Sequence, residues 1–171
     1  MNTSNRRGFT LIELVVVVSI LAILAGVMVP RVTHHMKSAR DARRLADIKT
    51  VRTAIEQYYM DKGEYPAANT NSSFGGWDVS NDGNFIEALK QEGYLDEKSV
   101  DPINDSTYHF RYYVYNNGAY GCVGDGRYYV LGIRNFETQD AADDNPGYFQ
   151  CSSRNWGNEF DYVTGGGASL R

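Results

Sequence analysis

Gly8-Phe9-Thr10-Leu11-Ile12-Glu13 opens a run that stays apolar through Val29 and ends at Pro30. Residues 9–29 number 21 and carry one formal charge, Glu13. A helix rising about 1.5 Å per residue would cross roughly 30 Å over that length, the thickness of a bilayer's hydrocarbon. A carboxylate inside such a run costs about 2.5 kcal/mol or more in lipid, so a chain that keeps one there must have a use for it. Ahead of the run stand only residues 1–8, with Arg6 and Arg7. In a secretory signal the apolar stretch precedes the cleavage site and leaves with the peptide. Here the small residue Gly8 comes first. A cut after it removes both arginines and leaves the apolar helix on the chain. The arginines and the initial amine favour a cytoplasmic N-terminus, with the remainder of the chain outside.

Beyond Pro30 the pattern stays helical. Leu45, Ile48, Val51, Ile55, Tyr58 and Tyr59 recur at three- and four-residue steps, with Arg44, Asp47, Lys49, Arg52 and Glu56 assigned to the other faces. Gly63 with Pro66 beyond it predicts the stop. The first half of this helix is apolar all round and the second on one stripe, which predicts a half that packs with copies of itself and a half covered by its own domain. Pro30 lacks the N–H that would reach the Gly26 carbonyl, and Gly26 is a weak helix former, so residues 26–30 are a built-in soft point. Residues 31–52 carry seven Lys/Arg against two Asp, whereas residues 53–171 carry eight Lys/Arg against eighteen Asp/Glu. This asymmetry is compatible with a solvated helix face or with attraction between neighbouring subunits. The acidic remainder argues against nucleic acid as its main ligand.

Residues 64–171 are long enough for one small core. A loop rich in Asn, Ser and Gly leads to a short amphipathic helix with Phe85, Ile86, Leu89 and Leu95 as its buried residues, then the turn signal Asp101-Pro102. Strands are predicted over 108–115, 127–133 and 158–163, with Gly165–Gly167 as a flexible tail. Antiparallel strands laid on the amphipathic half of the long helix give an α+β head. The domain plan is therefore a leader at 1–8, an apolar half-helix at 9–30, an amphipathic half at 31–63 and a head at 64–171.

Gly8-Phe9-Thr10-Leu11-Ile12-Glu13, the apolar run and Pro30 together resemble the class III leader and N-terminal helix of type IV pilins and type II secretion pseudopilins. The resemblance implies the pilin-like fold. It also implies that a membrane-embedded prepilin peptidase cuts after Gly8 and methylates the new terminus at Phe9. Glu13 of one subunit would then pair with the Phe9 amine of a neighbour. Two charges that are unpaired alone in an apolar medium compensate each other and set one axial register. Carried over the same way, residues 26–30 lose helical order on assembly. The partners implied are identical subunits, the peptidase, the membrane before assembly and the inner-membrane assembly machinery.

Cys122 and Cys151 both lie in the part expected outside the cytoplasm, where a disulfide is the first expectation. A C-terminal disulfide loop is also a habit of type IV pilins. Between them, residues 137–145 are dense in carboxylates. Asp140, Asp143 and Asp144 are candidate calcium ligands, since similar major pseudopilins bind calcium in a head loop, but the spacing does not match the EF-hand. A solvated acidic loop is the competing reading. No cofactor is required, and no catalytic constellation is evident: His34 and His35 adjoin just past the apolar run, and Ser19 has no base near it in sequence. The expected function is a structural pilin that polymerises into an extracellular type IV pilus-like filament. The alternative is the major pseudopilin of a periplasmic type II secretion pseudopilus, which the Gly93-Tyr94-Leu95 and Asp101-Pro102 passages resemble.

Overall fold

The computed structural model of the chain describes residues 8–96, 99–124 and 126–167. The expected leader, up to Arg7, lies outside the described residues. The chain divides into two compact units between Lys37 and Ser38. Helix α1, Leu11–Lys62, contributes residues to both.

In the first unit, α1 is apolar on every face. It is the one helix among the described residues long and apolar enough to cross a membrane, by length and composition. In the second unit, α1 carries a stripe. Ile48, Val51 and Ile55 are fully buried and Tyr58 nearly so, at the three- and four-residue spacing that keeps one face inward. Burial of each such aliphatic side chain contributes about 1.5–3 kcal/mol. The helix stops where the sequence predicts: Gly63 turns to φ +75°, and its N–H donates to the Tyr59 carbonyl at 2.8 Å.

The stripe packs on a four-stranded antiparallel sheet of order β1-β2-β3-β6, made of Asp78–Val79, Phe110–Tyr115, Tyr128–Ile133 and Tyr162–Gly166. The pleat sends Phe110, Tyr112, Tyr129, Leu131 and Ile133 toward α1, where they meet Leu89 of the short helix α2, Glu87–Gln91. It sends Tyr128, Val130 and Val163 the other way. There they meet Phe149, Trp156 and Phe160, carried by the segment that holds the two-residue strands β4, Gln150–Cys151, and β5, Arg154–Asn155. Helix α3, Gln139–Asp144, packs on the α1 side instead, through Ala141 and Ala142. Strand β3 is buried at all six positions because both of its faces are covered.

Three expectations change. The third strand begins at Tyr162, because Trp156–Asn158 forms a 3-10 turn instead. Gly165 and Gly166 belong to β6 and are no tail. A Cβ on Gly165 would meet the Phe149 ring at 2.5 Å, so only glycine lets that ring lie against the strand. Finally, residues 139–144 of the acidic stretch are helical, capped by Thr138, whose Oγ1 accepts the Ala141 N–H at 3.4 Å.

Candidate assembly site

At the start of α1 the residues Thr10 and Glu13 form a reciprocal cap. The Thr10 N–H and hydroxyl donate to Glu13 Oε2 at 2.8 and 2.7 Å, and the Glu13 N–H donates to Thr10 Oγ1 at 3.3 Å. This is a capping box, which satisfies donors that a helix start leaves open. Glu13 thus has a role inside its own chain that sequence reading missed, although Thr-x-x-Glu is its signal. Only one carboxylate oxygen is used in it. Phe9 is 88% exposed, and the large apolar side chains described between Leu11 and Val29 are all at least 48% exposed. An apolar surface of this size on a single chain calls for lipid or copies of itself. Gly26 and Pro30 fall within α1, whose backbone is helical across them. A Cβ at Gly26 would meet nothing within 4 Å.

The second unit contains a feature the sequence did not announce. Arg44, assigned above to the faces outside the apolar stripe, is fully buried along with Asp41 and Asp101. Its Nε donates to Asp101 Oδ2 at 2.7 Å, and one terminal nitrogen donates to Asp41 at 2.6 Å and to Glu137 at 2.9 Å. Arg40 grips the same Glu137 with two bonds of 2.7 and 2.6 Å. Asp41 in turn accepts the Glu137 and Thr138 N–H groups at 3.0 and 2.9 Å, while Asp101 accepts the Ile103 N–H at 2.8 Å. The guanidinium lies over the Tyr108 ring at 4.9 Å. Every buried charge of this cluster therefore has a partner, as burial demands. Hydrogen bonds from Arg40, then Arg44, hold the Glu137 carboxyl down at about 2. Two basic residues of the 31–52 segment are thus committed to their own head.

Two other buried titratable groups sit beside the sheet. Asp78 accepts the Asn69 and Ile86 N–H groups through Oδ2 at 2.8 and 3.1 Å, while its Oδ1 is buried without a partner among the described residues. Burial pushes it up to about 7. His109 is pushed down to about 4 by burial and by the neighbouring Arg111. Arg111 Nε donates to its Nε2 at 2.9 Å, which leaves Nδ1 as the protonated nitrogen facing the Asp105 carbonyl at 3.1 Å.

Cys122 and Cys151 are joined, closing a loop of sequence separation 29. The bridge belongs to the layer on the far side of the sheet from α1. Asp140, Asp143 and Asp144 all lie on α3. A regular helix sets such carboxylates side by side instead of wrapping them around an ion. Among the described residues no group of three or more His, Cys, Asp or Glu side chains is placed to hold a metal.

The family model for the prokaryotic N-terminal methylation motif matches residues 3–29. The chain is 35% identical over 115 residues to type II secretion system core protein G of Pseudomonas aeruginosa, covering 60% of this chain and 71% of that one. It is 28% identical over 128 residues to core protein G of Escherichia coli, covering 70% and 78%. It is 30% identical over 92 residues to the type IV major pilin protein PilE1 of Neisseria gonorrhoeae, covering 54% and 51%. No solved structure matches the chain significantly. With the methylation motif at its start, a long helix on a small antiparallel sheet, and relatives of this length and likeness, the chain belongs to the family of type IV pilins and type II secretion pseudopilins.

Proposed function

We propose that the chain is the repeating structural subunit of a type IV pilus-like filament. It is made with its N-terminus in the cytoplasm and its apolar helix in the inner membrane. A prepilin peptidase cuts after Gly8 and methylates Phe9, leaving 163 of the 171 residues. Assembly then transfers the apolar surface of residues 11–29 from lipid to neighbouring copies, with Glu13 giving up its cap to pair with the Phe9 amine of another subunit. The observation that carries this reading is the exposed apolar surface directly behind a methylation motif that contains a carboxylate. The role is mechanical, neither catalysis nor a cofactor enters it, and a chelator should leave the melting temperature unchanged.

The extracellular pilus is the first reading, supported by the disulfide that staples the outer layer of the head. A periplasmic pseudopilus is the second. It is favoured by likeness to core protein G, which extends over 60–70% of the chain against 54% for the pilin. Intact mass and N-terminal analysis of sheared cell-surface material decides between them. A 163-residue chain beginning with methylated Phe9, abundant in that fraction, supports the pilus. A processed chain absent from sheared material rejects it in favour of the pseudopilus. An unprocessed chain starting at Met1 sinks both.

A further inference from the structure

On the face of the head away from α1 lies an open cleft of about 450 Å³. Trp77, Tyr113, Tyr115 and Tyr120 give it aromatic walls, and Asn116 and Arg154 give it polar ones. The volume is in the range of small-ligand sites, and so is the composition, apolar rings with a few polar groups. Nothing in the assembly role uses it.

Several features hold the walls in place. Tyr120 has φ +51°, a left-handed conformation that costs a non-glycine residue energy and persists only where its surroundings impose it. Its carbonyl accepts the Ser153 N–H at 3.1 Å, and the bridge between Cys122 and Cys151 joins the same two segments. The Arg154 guanidinium lies over its ring at 4.6 Å and is itself held by Glu159 at 2.8 Å. Tyr115 meets it edge-on at 5.5 Å. Tyr113 packs on Tyr115 at 4.6 Å and on Trp77 at 6.1 Å. Opposite, Gly75 and Gly76 put no side chain into the opening, and a Cβ on either would meet nothing within 4 Å. The disulfide and a strained turn therefore fix an aromatic ring at the mouth of an accessible cleft, which packing alone does not call for.

We propose that this cleft binds a neutral saccharide. A pyranose ring offers an apolar face of C–H bonds, whose partial positive charge suits the negative face of a tyrosine or tryptophan ring. Its rim of hydroxyls suits the tyrosine O–H groups, the Asn116 amide and the edge of Arg154. Nucleic acid fits poorly, because among the described residues Arg154 is the only cation in the lining, is neutralised by Glu159, and sits in an acidic head. A wholly apolar segment would cover the Asn116 amide and the tyrosine O–H groups of the lining without offering them partners.

Saturation-transfer difference NMR on the full chain in detergent micelles tests this, with N,N′-diacetylchitobiose, cellobiose and lactose as probes at about millimolar concentration, the range of weak single-site contacts. At least one sugar should receive saturation on its ring C–H protons. Tyr120→Asn keeps the left-handed turn, which asparagine tolerates, and should weaken binding about tenfold through loss of one ring. Tyr113→Ala should do likewise, and it carries the test if the Tyr120 variant fails to fold. Tyr148→Ser, at an exposed tyrosine outside the cleft, should change nothing. The proposal falls if no sugar shows transfer, if folded Tyr113→Ala binds as the parent does, or if only a single-stranded oligonucleotide or a proline-rich peptide gives a Tyr113-dependent signal. It falls equally if Tyr113→Ala alters only self-association.

Discussion

Leu11, Ile12 and Ile23 are at least 70% exposed, whereas Arg44, Ile48, Val51 and Ile55 of the same helix are fully buried. The first set is the more apolar, yet nothing in its own chain covers it. The second set includes a guanidinium, yet three carboxylates and a tyrosine ring enclose it. Burial thus follows the supply of partners more than hydropathy. Near Glu13 the chain provides one cap and leaves the remaining demand to lipid or to other subunits. Around Arg44 it satisfies every charge internally and needs no copy of itself.

The largest effect that could break this contrast is at Glu13. Glu13→Ala should still insert in the membrane, but filament yield in sheared or pelleted material should fall at least about tenfold, as expected for loss of one buried charge pairing. Normal yield would mean that the capping box, not assembly, explains the residue.

Arg44→Met keeps volume but strands Asp41, Asp101 and part of the demand of Glu137. Stability should drop by about 3–5 kcal/mol, the usual cost of removing one partner from a buried ion network, read as a lower melting temperature of the detergent-solubilised chain. A loss below about 1 kcal/mol would place this cluster with surface ion pairs. Next, Cys122→Ser with Cys151→Ser should cost about 3–4 kcal/mol, the loop-closure value for this separation. The loss should be visible in the melt while membrane insertion is untouched.

The smallest effect concerns pH. The folded chain holds a proton on Asp78 up to about 7, whereas an unfolded aspartate releases it near 3.8. Its contribution to stability therefore falls as pH rises from about 4 to 7 and is flat above that. Asp78→Asn should flatten this part of the profile and raise stability at pH 8 by about 1 kcal/mol, since an amide oxygen can still accept the Asn69 and Ile86 N–H groups. His109 acts oppositely. With its folded value near 4 against an ordinary 6.5, it removes stability as pH falls through that window. An unchanged slope in Asp78→Asn would show that this carboxyl is more solvated than the geometry indicates.

Much of this was legible in the residues. Ile48, Val51, Ile55 and Tyr58 announce a buried stripe, Gly63 its end, and the aromatic alternation of β2 one of its walls. The charged end of the stripe was not legible. Asp41 and Arg44 continue the same three- and four-residue spacing, but a charge at a core position reads as solvated unless its partners are known, and Asp101 and Glu137 are about 57 and 93 residues away. Gly165 was hidden for a related reason. A glycine in a strand carries no side-chain signal, and the Phe149 ring that requires it comes from another layer. Glu13 was legible as an anomaly, its local cap less so.

The glycine-bearing strand β6 also bears on timing. It completes the sheet by pairing with β3, and it comes after the disulfide-closed segment in the chain. A subunit interrupted before Tyr162 leaves the backbone of β3 unpaired along one edge and strips cover from Phe149 and Tyr129. Such a fragment is sticky and open to proteolysis, while the complete one is sealed. The last strand therefore acts as a check on completeness: only a chain made through Gly166 can present a closed head to a growing fibre.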